Sequence, residues 1–153
     1  MVFFSAASET AIRLLTYVHA RSLDGKRMGV PEIARHTDTP QSYAAKIMQV
    51  LSRKGLVNSY RGMHGGFYLD HSLPEITIYS IVEAIDGIGF LQGCGLGLKN
   101  CVSQHPCPMH DDFMVIRSKM ELSLKTTTIA LLAEKYLENK SYLSVNDQLL
   151  PSE

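Results

Sequence analysis

Cys94, Cys101 and Cys107 are the only three cysteines of this 153-residue chain, and all fall within the single stretch GCGLGLKNCVSQHPCPMH. So short a segment can fold back and gather three thiolates on one inorganic centre. Gly93, Gly95 and Gly97 surround the first cysteine. Glycine admits positive φ and lets backbone N–H groups come close to sulfur, which stabilises thiolate and sulfide charge. Pro106 and Pro108 flank the third cysteine. Pro108 suits the first position of a helix, which places Cys107 at a positive helix end that favours a thiolate.

An odd cysteine count excludes a complete disulfide framework. Burial as small hydrophobes fits poorly with a Gly- and Pro-rich segment that also carries Lys99, Asn100 and Gln104. Structural zinc sites favour tighter Cys pairs than either gap here. An iron–sulfur cluster, 2Fe–2S or 4Fe–4S, is the better match, with zinc- or thiol-based redox sensing as the alternative. Three cysteines leave a fourth ligand open. His110 follows Cys107 by one helical turn on roughly the same face, so its imidazole can meet the same centre.

The elements around this segment read as a frame for it. A helix is expected from Ser8, as cap, to Arg21, with Ile12, Leu15, Val18 and His19 near the helical period. DGKRMG is a turn. A second helix starts at Pro31 with Ile33 and Ala34 inward, and Thr37-Asp38-Thr39-Pro40 breaks it. The third, Pro40 to Lys54, should bury Ala44, Ile47, Met48 and Leu51 and stop at Gly55. The pair forms a helix-turn-helix that presents its second member. The outward residues Gln41, Ser42, Ala45, Lys46, Gln49 and Arg53, with Tyr43 at the boundary, are suited to phosphates and base edges. No acid lies between Pro40 and Ser59.

Leu56 to Tyr60 and Phe67 to Leu69 read as strands joined by Arg61-Gly62-Met63-His64-Gly65-Gly66. A glycine-rich hairpin directly after a recognition helix is a wing, with Arg61 and His64 at its tip. Leu73-Pro74 should open a helix carrying Ile78, Ile81, Val82 and Ile85, ending at Asp86-Gly87. A single long helix is expected from Pro108 to about Leu137, with a seam of Phe113, Ile116, Met120, Leu124, Thr127 and Leu131. Such a seam suits a two-fold dimer, since paired DNA half-sites need two reading heads. The expected fold class is mainly α with a small β-wing. Residues 1–73 form the winged helix-turn-helix, 74–140 the cluster loop and dimerisation helix, and 141–153 a flexible tail.

The formal net charge is zero, but residues 1–73 carry nine Lys/Arg against five Asp/Glu, and 74–153 six against ten. The basic half is the one expected to meet a polyanion. No apolar run approaches the ~20 residues needed to span a bilayer. MVFFSAASET lacks a basic start and a cleavage site, so no membrane partner and a cytoplasmic location are expected. His19, His36, His64, His71, His105 and His110 are dispersed and no nucleophile–base arrangement is identifiable, so neither catalysis nor an organic small-molecule substrate is expected. A small electron-transfer protein, the reading from another class, would not need a helix-turn-helix, wing and dimer helix.

Together, SETAIRLLTYVHA, VPEIARHTDTPQSYAAKIMQVLSRKGLV, YRGMHGGFYL, IYSIVEAIDG and the cysteine loop followed by HPCPMHDDF resemble the winged-helix iron–sulfur regulators of the IscR/NsrR type, the Rrf2 family. The resemblance covers about residues 3–135. It implies a homodimer that binds double-stranded operator DNA and changes affinity when a cluster is gained, lost, oxidised or nitrosylated. Redox state, nitric oxide and iron supply are the signals it implies. By resemblance, Cys94, Cys101 and Cys107 are cluster ligands; Ser42, Tyr43 and Lys46 contact DNA from the recognition helix, and Arg61 from the wing. His110 matches the histidine ligand of IscR-like members, and Glu9 the acidic ligand that NsrR-like members supply from the partner subunit. Glu9 is favoured over His110, because a ligand donated across the dimer would couple the cluster to the spacing of the two reading heads. Met63 and His64 depart from the usual RGPGGG wing, Ala45 stands where IscR-like members carry glutamate, and the first cysteine gap is slightly longer.

Overall fold

The computed structural model describes residues 3–22, 25–71 and 74–144. Helix α1 spans Ala6–Arg21, α2 Val30–His36 and α3 Gln41–Arg53; strands β1 Asn58–Tyr60 and β2 Gly66–Tyr68 form the hairpin. Helix α4 is Ile78–Ile85, a 3-10 turn covers Gly89–Leu91, and α5 His110–Thr126 and α6 Ile129–Leu137 complete the order. None of these helices is long and apolar enough to cross a membrane.

Helix α1 is the central post. Ala11, Leu14, Leu15 and Val18 have no exposed surface, and α6, α3, α4 and α2 all pack on it. Its cap is Ser5 rather than the expected Ser8: the Ser5 hydroxyl accepts from the Ser8 N–H at 3.1 Å. The Ser8 side chain is instead buried and donates to Asp86 Oδ2 at 2.7 Å. Either serine satisfies the local capping pattern; the helix starts at Ala6, which makes Ser5 the cap, and both hydroxyls donate to Asp86 at α4's exit.

Helix α3 buries Ala44, Ile47, Met48 and Leu51 and turns its polar side out, as its period requires. Gly55, at φ 74, lets the chain leave it for β1. The hairpin pairs Asn58 with Tyr68, Ser59 with Phe67 and Tyr60 with Gly66. A third segment joins its edge: the Met28 N–H donates to Phe67 O at 2.9 Å, and the Phe67 N–H to Met28 O at 2.8 Å. Gly66 has φ 153, and a Cβ there would stand 2.7 Å from Met28 O, so only glycine fits beneath this bridge.

Two expected helices are shorter than their sequence patterns, for one shared reason. Helix α4 begins at Ile78 with Thr77 as cap, not at Leu73-Pro74, and Leu73 lies outside the described residues. The single long helix is two, broken between Thr126 and Ile129. Thr77 and Thr128 form an antiparallel bridge. The Ile78 N–H donates to Thr127 O at 2.9 Å, and the Ile129 N–H to Ile76 O at 2.8 Å. Two extended segments must meet there, so neither helix can run through it. After the break α6 returns to α1, burying Ile129 and Ala133. Of the expected seam, Leu124 is buried and Phe113 and Met120 half-buried, whereas Ile116 and Leu131 are exposed. Residues 145–153 of the expected tail lie outside the described residues.

Candidate metal centre and nucleic-acid interface

Between the 3-10 turn and α5 the chain makes a series of tight turns that bring the three cysteines together. The Gly97 N–H donates to Cys94 O at 2.9 Å with Gly97 at φ 70, closing the first turn. The His105 N–H donates to Val102 O at 2.9 Å, turning the chain back toward Cys107. As a result the three Sγ atoms lie within 4.8 Å of one another. Cys94 and Cys107 Sγ are 3.7 Å apart, and the Cys107 N–H donates to Cys101 Sγ at 3.4 Å.

Helix α5 starts at His110 with Met109 as cap, not at Pro108, so Cys107 lies two residues ahead of the cap. The His110 N–H donates to Cys107 O at 3.0 Å, and its Nδ1 lies 3.2 Å from Cys101 Sγ. The structure therefore gathers Cys94, Cys101, Cys107 and His110 around a cleft of about 330 Å³. Glu9 stands exposed in the first turn of α1, outside this group.

The thiols are tuned unequally. N–H groups of Leu98, then Leu96, hold the Cys94 thiol down to about 7, while burial pushes the Cys107 thiol up. The close N–H approach expected of the glycine-rich loop is present, although leucines supply the donors and Gly97 permits the turn. Sequence reasoning missed two supports. A Cβ on Gly95 would collide with the Phe113 ring, so that ring packs directly against the loop at this glycine. The Arg117 guanidinium reaches back to Gly93 O and ties α5 to the loop start. Residues 110, 113 and 117 share one helical face, a spacing from which both supports can be found.

This donor set fits a soft-metal centre. Two thiolates on one tetrahedral metal ion with bonds of about 2.3 Å lie roughly 3.8 Å apart, close to the Cys94–Cys107 separation. The cleft opens to solvent among the exposed Val102 and Met114.

The second candidate surface is the outer side of α3 with the wing. Gln41, Ser42, Lys46, Gln49 and Arg53 are exposed and Tyr43 half-buried. Arg61, Met63 and His64 project at the hairpin tip, with Met63 95% exposed. Ser52 and Ser59 hydroxyls meet at 3.1 Å and fix the wing against α3. A cleft between them of about 640 Å³ is lined by Gln49, Arg53, Tyr60 and Arg61.

Comparison with known proteins agrees with this architecture. A family model, Rrf2, described as an iron-dependent transcriptional regulator, matches residues 4–135. A protein of Aquifex aeolicus named for an HTH-type transcriptional regulator is 31% identical over 84% of this chain and 89% of its own. CymR of B. subtilis, titled the global cysteine regulator, superposes with TM-score 0.69 at 21% identity, covering 88% of this chain and 98% of that one. T. potens IscR gives TM-score 0.69 at 19% identity and 92% coverage of both chains. At those identities the two structures share the fold.

Proposed function

The chain belongs to the Rrf2 family of transcriptional regulators, and on that premise we propose that it binds operator DNA as a homodimer, with an affinity set by an iron–sulfur cluster. The observation that carries this reading is the gathering of three sulfurs within 4.8 Å on an open loop, with His110 Nδ1 3.2 Å from one of them. Residues 1–73 read DNA and residues 74–140 sense and pair. No catalytic role is assigned.

Cys94, Cys101 and Cys107 would hold the cluster, and His110 is the fourth ligand that the single chain supports. Glu9 of the partner subunit is the competing ligand. When bound, the cluster supplies a centre that exchanges electrons and reacts with nitric oxide or oxygen. The chain's own residues do the rest. Phe113 shields one side of the loop, Arg117 anchors its entry, and the Leu96 and Leu98 N–H groups favour the Cys94 thiolate. Asp86, at the exit of α4, accepts from Ser5 Oγ and Ser8 Oγ at 2.7 Å each, and so joins the loop's start to the head of α1. Met114, Val115, Ile116 and Leu122 are exposed on α5 and supply apolar surface for the second subunit.

On DNA, Lys46 and Arg61 contact backbone phosphates, while Gln41, Ser42, Tyr43 and Gln49 face the major groove. Arg53 and His64 extend this surface along α3 and at the wing tip.

Anaerobic purification tests the cofactor. Iron and sulfide in near-equal amounts are expected, and Cys101→Ala should lose the chromophore. His110→Ala should shift the spectrum; if Glu9→Ala does so instead, the fourth ligand comes from the partner. Operator affinity should differ between cluster-bound and cluster-free protein. Lys46→Ala and Arg61→Ala should each weaken binding without unfolding the chain, and wild-type binding by both would place the DNA face elsewhere. A zinc- or thiol-based sensor is the second reading, favoured by the 3.7 Å Cys94–Cys107 separation. Stoichiometric zinc in a colourless anaerobic preparation would establish it.

A further inference from the structure

The wing carries a cation that the sequence patterns do not single out. Arg27 lies between α1 and α2, one residue before Met28, whose backbone pairs with Phe67 of β2. That pairing lays Arg27 across one face of the hairpin. The register sets Tyr60 opposite Gly66 and Tyr68 opposite Asn58, so the two tyrosines are diagonal neighbours on the same face. Ser59, which meets Ser52 of α3, points to the other face. Gly66 has no side chain, and the Met28 backbone lies where one would point, which brings the preceding residue close to Tyr60. The Arg27 guanidinium lies over that ring, 3.9 Å from the Tyr60 ring centroid and 5.8 Å from that of Tyr68.

Both Arg27 and Tyr60 are exposed. Among the described residues Arg27 has no carboxylate partner, whereas the adjacent Lys26 is held by Glu32 at 3.0 Å. A guanidinium resting on an aromatic face engages that ring through its π surface and keeps its in-plane N–H edge free. The free edge matches two oxygens of one phosphate. The stack also fixes a long side chain in advance, so less rotamer freedom is lost when a phosphate is gripped. Arg61 follows Tyr60 directly in sequence, which places a second guanidinium-bearing residue next to the ring that holds Arg27.

We propose that Arg27, held on Tyr60, is a further DNA-contacting residue that grips a backbone phosphate flanking the wing. This inference rests on the DNA-binding function proposed above. It assigns a phosphate contact, not a base contact, because a cation fixed on the outer hairpin face is suited to the strand backbone beside the groove that α3 reads.

Fluorescence anisotropy of a mixed-sequence DNA duplex, titrated with the full chain across a KCl series, tests it. Arg27→Ala should weaken binding on the order of tenfold, the scale of one charge-assisted hydrogen bond. It should also reduce the slope of log affinity against log salt by about one per subunit. Arg27→Lys should keep the slope and recover part of the affinity, and Tyr60→Leu should weaken binding while leaving the slope intact. Equal affinity and slope for wild type and Arg27→Ala would overturn the assignment while leaving DNA binding in place. So would equal losses in Arg27→Ala and Arg27→Lys at an unchanged slope, which would mark the stack as structural only. A wild-type chain without salt-dependent affinity for the duplex would overturn both this assignment and the DNA-binding reading.

Discussion

The reading head and the thiol segment follow opposite plans. In the head, α1 and α3, with α4 packed on them, bury Leu14, Leu15, Met48, Leu51 and Ile81 completely, and the outer side of α3 is polar. In the segment from the 3-10 turn to α5, Phe90, Leu96, Leu98, Val102 and Met109 are each more than 40% exposed. What holds that segment is a set of turns, the Phe113 ring and the Arg117 tie. A surface that matches DNA must keep one shape in every state, and a closed apolar core provides that. The thiol segment has no such core, and its apolar side chains stay largely open to solvent. The contrast predicts an energetic separation: the head is held by its buried core, and under the proposed function the segment would gain further order from a bound centre.

The largest effects that test this contrast lie in the core. Leu14→Ala should cost about 2–5 kcal/mol in urea unfolding, whereas Ile116→Ala on the exposed face of α5 should stay within about 0.5 kcal/mol in dilute protein. Comparable losses at the two positions would erase the distinction. Next is the junction between the regions. Asp86→Ala removes the acceptor of the buried Ser8 hydroxyl, and a loss of about 1–3 kcal/mol is expected in the same assay. A silent variant would show that the α1–α4 clasp contributes nothing.

Within the segment, Gly95→Ala should leave the thermal midpoint of the head unchanged yet lower metal affinity by about tenfold, because the Phe113 ring must move. Restoration in the Gly95→Ala/Phe113→Ala double variant would sharpen the assignment to that collision. Midpoint loss in Gly95→Ala alone would mean that the regions are one cooperative unit. The smallest effect is a pH dependence inside the head. Burial, then His71, hold the His19 imidazole below its ordinary range, with Glu75 opposing. The unfolded chain takes up this proton near pH 6.5 and the folded chain resists it, so the contribution is full above that value and declines as pH falls below it. The urea midpoint of wild type should drop on acidification through that window, and His19→Gln should flatten the decline. An identical decline in the variant would assign it to other groups.

The local parts of this fold are legible from sequence because local rules decide them. The four buried residues of α3, its stop at Gly55 and the hairpin follow from period, turn chemistry and glycine placement. The three cysteines, marked by type and spacing, do come within 4.8 Å of one another. The errors cluster where a distant partner overrules a locally valid pattern. Pro74 is an acceptable helix start, and the seam through Thr127 keeps its period. A single bridge between Thr77 and Thr128 overrules both, and no short-range signal marks it. Arg27 escapes notice for the same reason, since the pairing of Met28 with Phe67 brings it to the tyrosines.

That bridge at Thr77 and Thr128 has a further consequence for the freedom of the cysteine spacing. Its two backbone hydrogen bonds, with α6 seated on α1, seal the frame at a point that encloses the whole run from α4 through α5. The thiol segment is therefore a loop closed at its base, and the entropy of closing a flexible loop grows only with the logarithm of its length. Doubling such a loop costs about 0.6 kcal/mol. The gap between Cys94 and Cys101 can lengthen or shorten with almost no penalty to the domain that reads DNA. Cysteine spacing is a parameter this architecture can retune by insertion and deletion, one residue at a time.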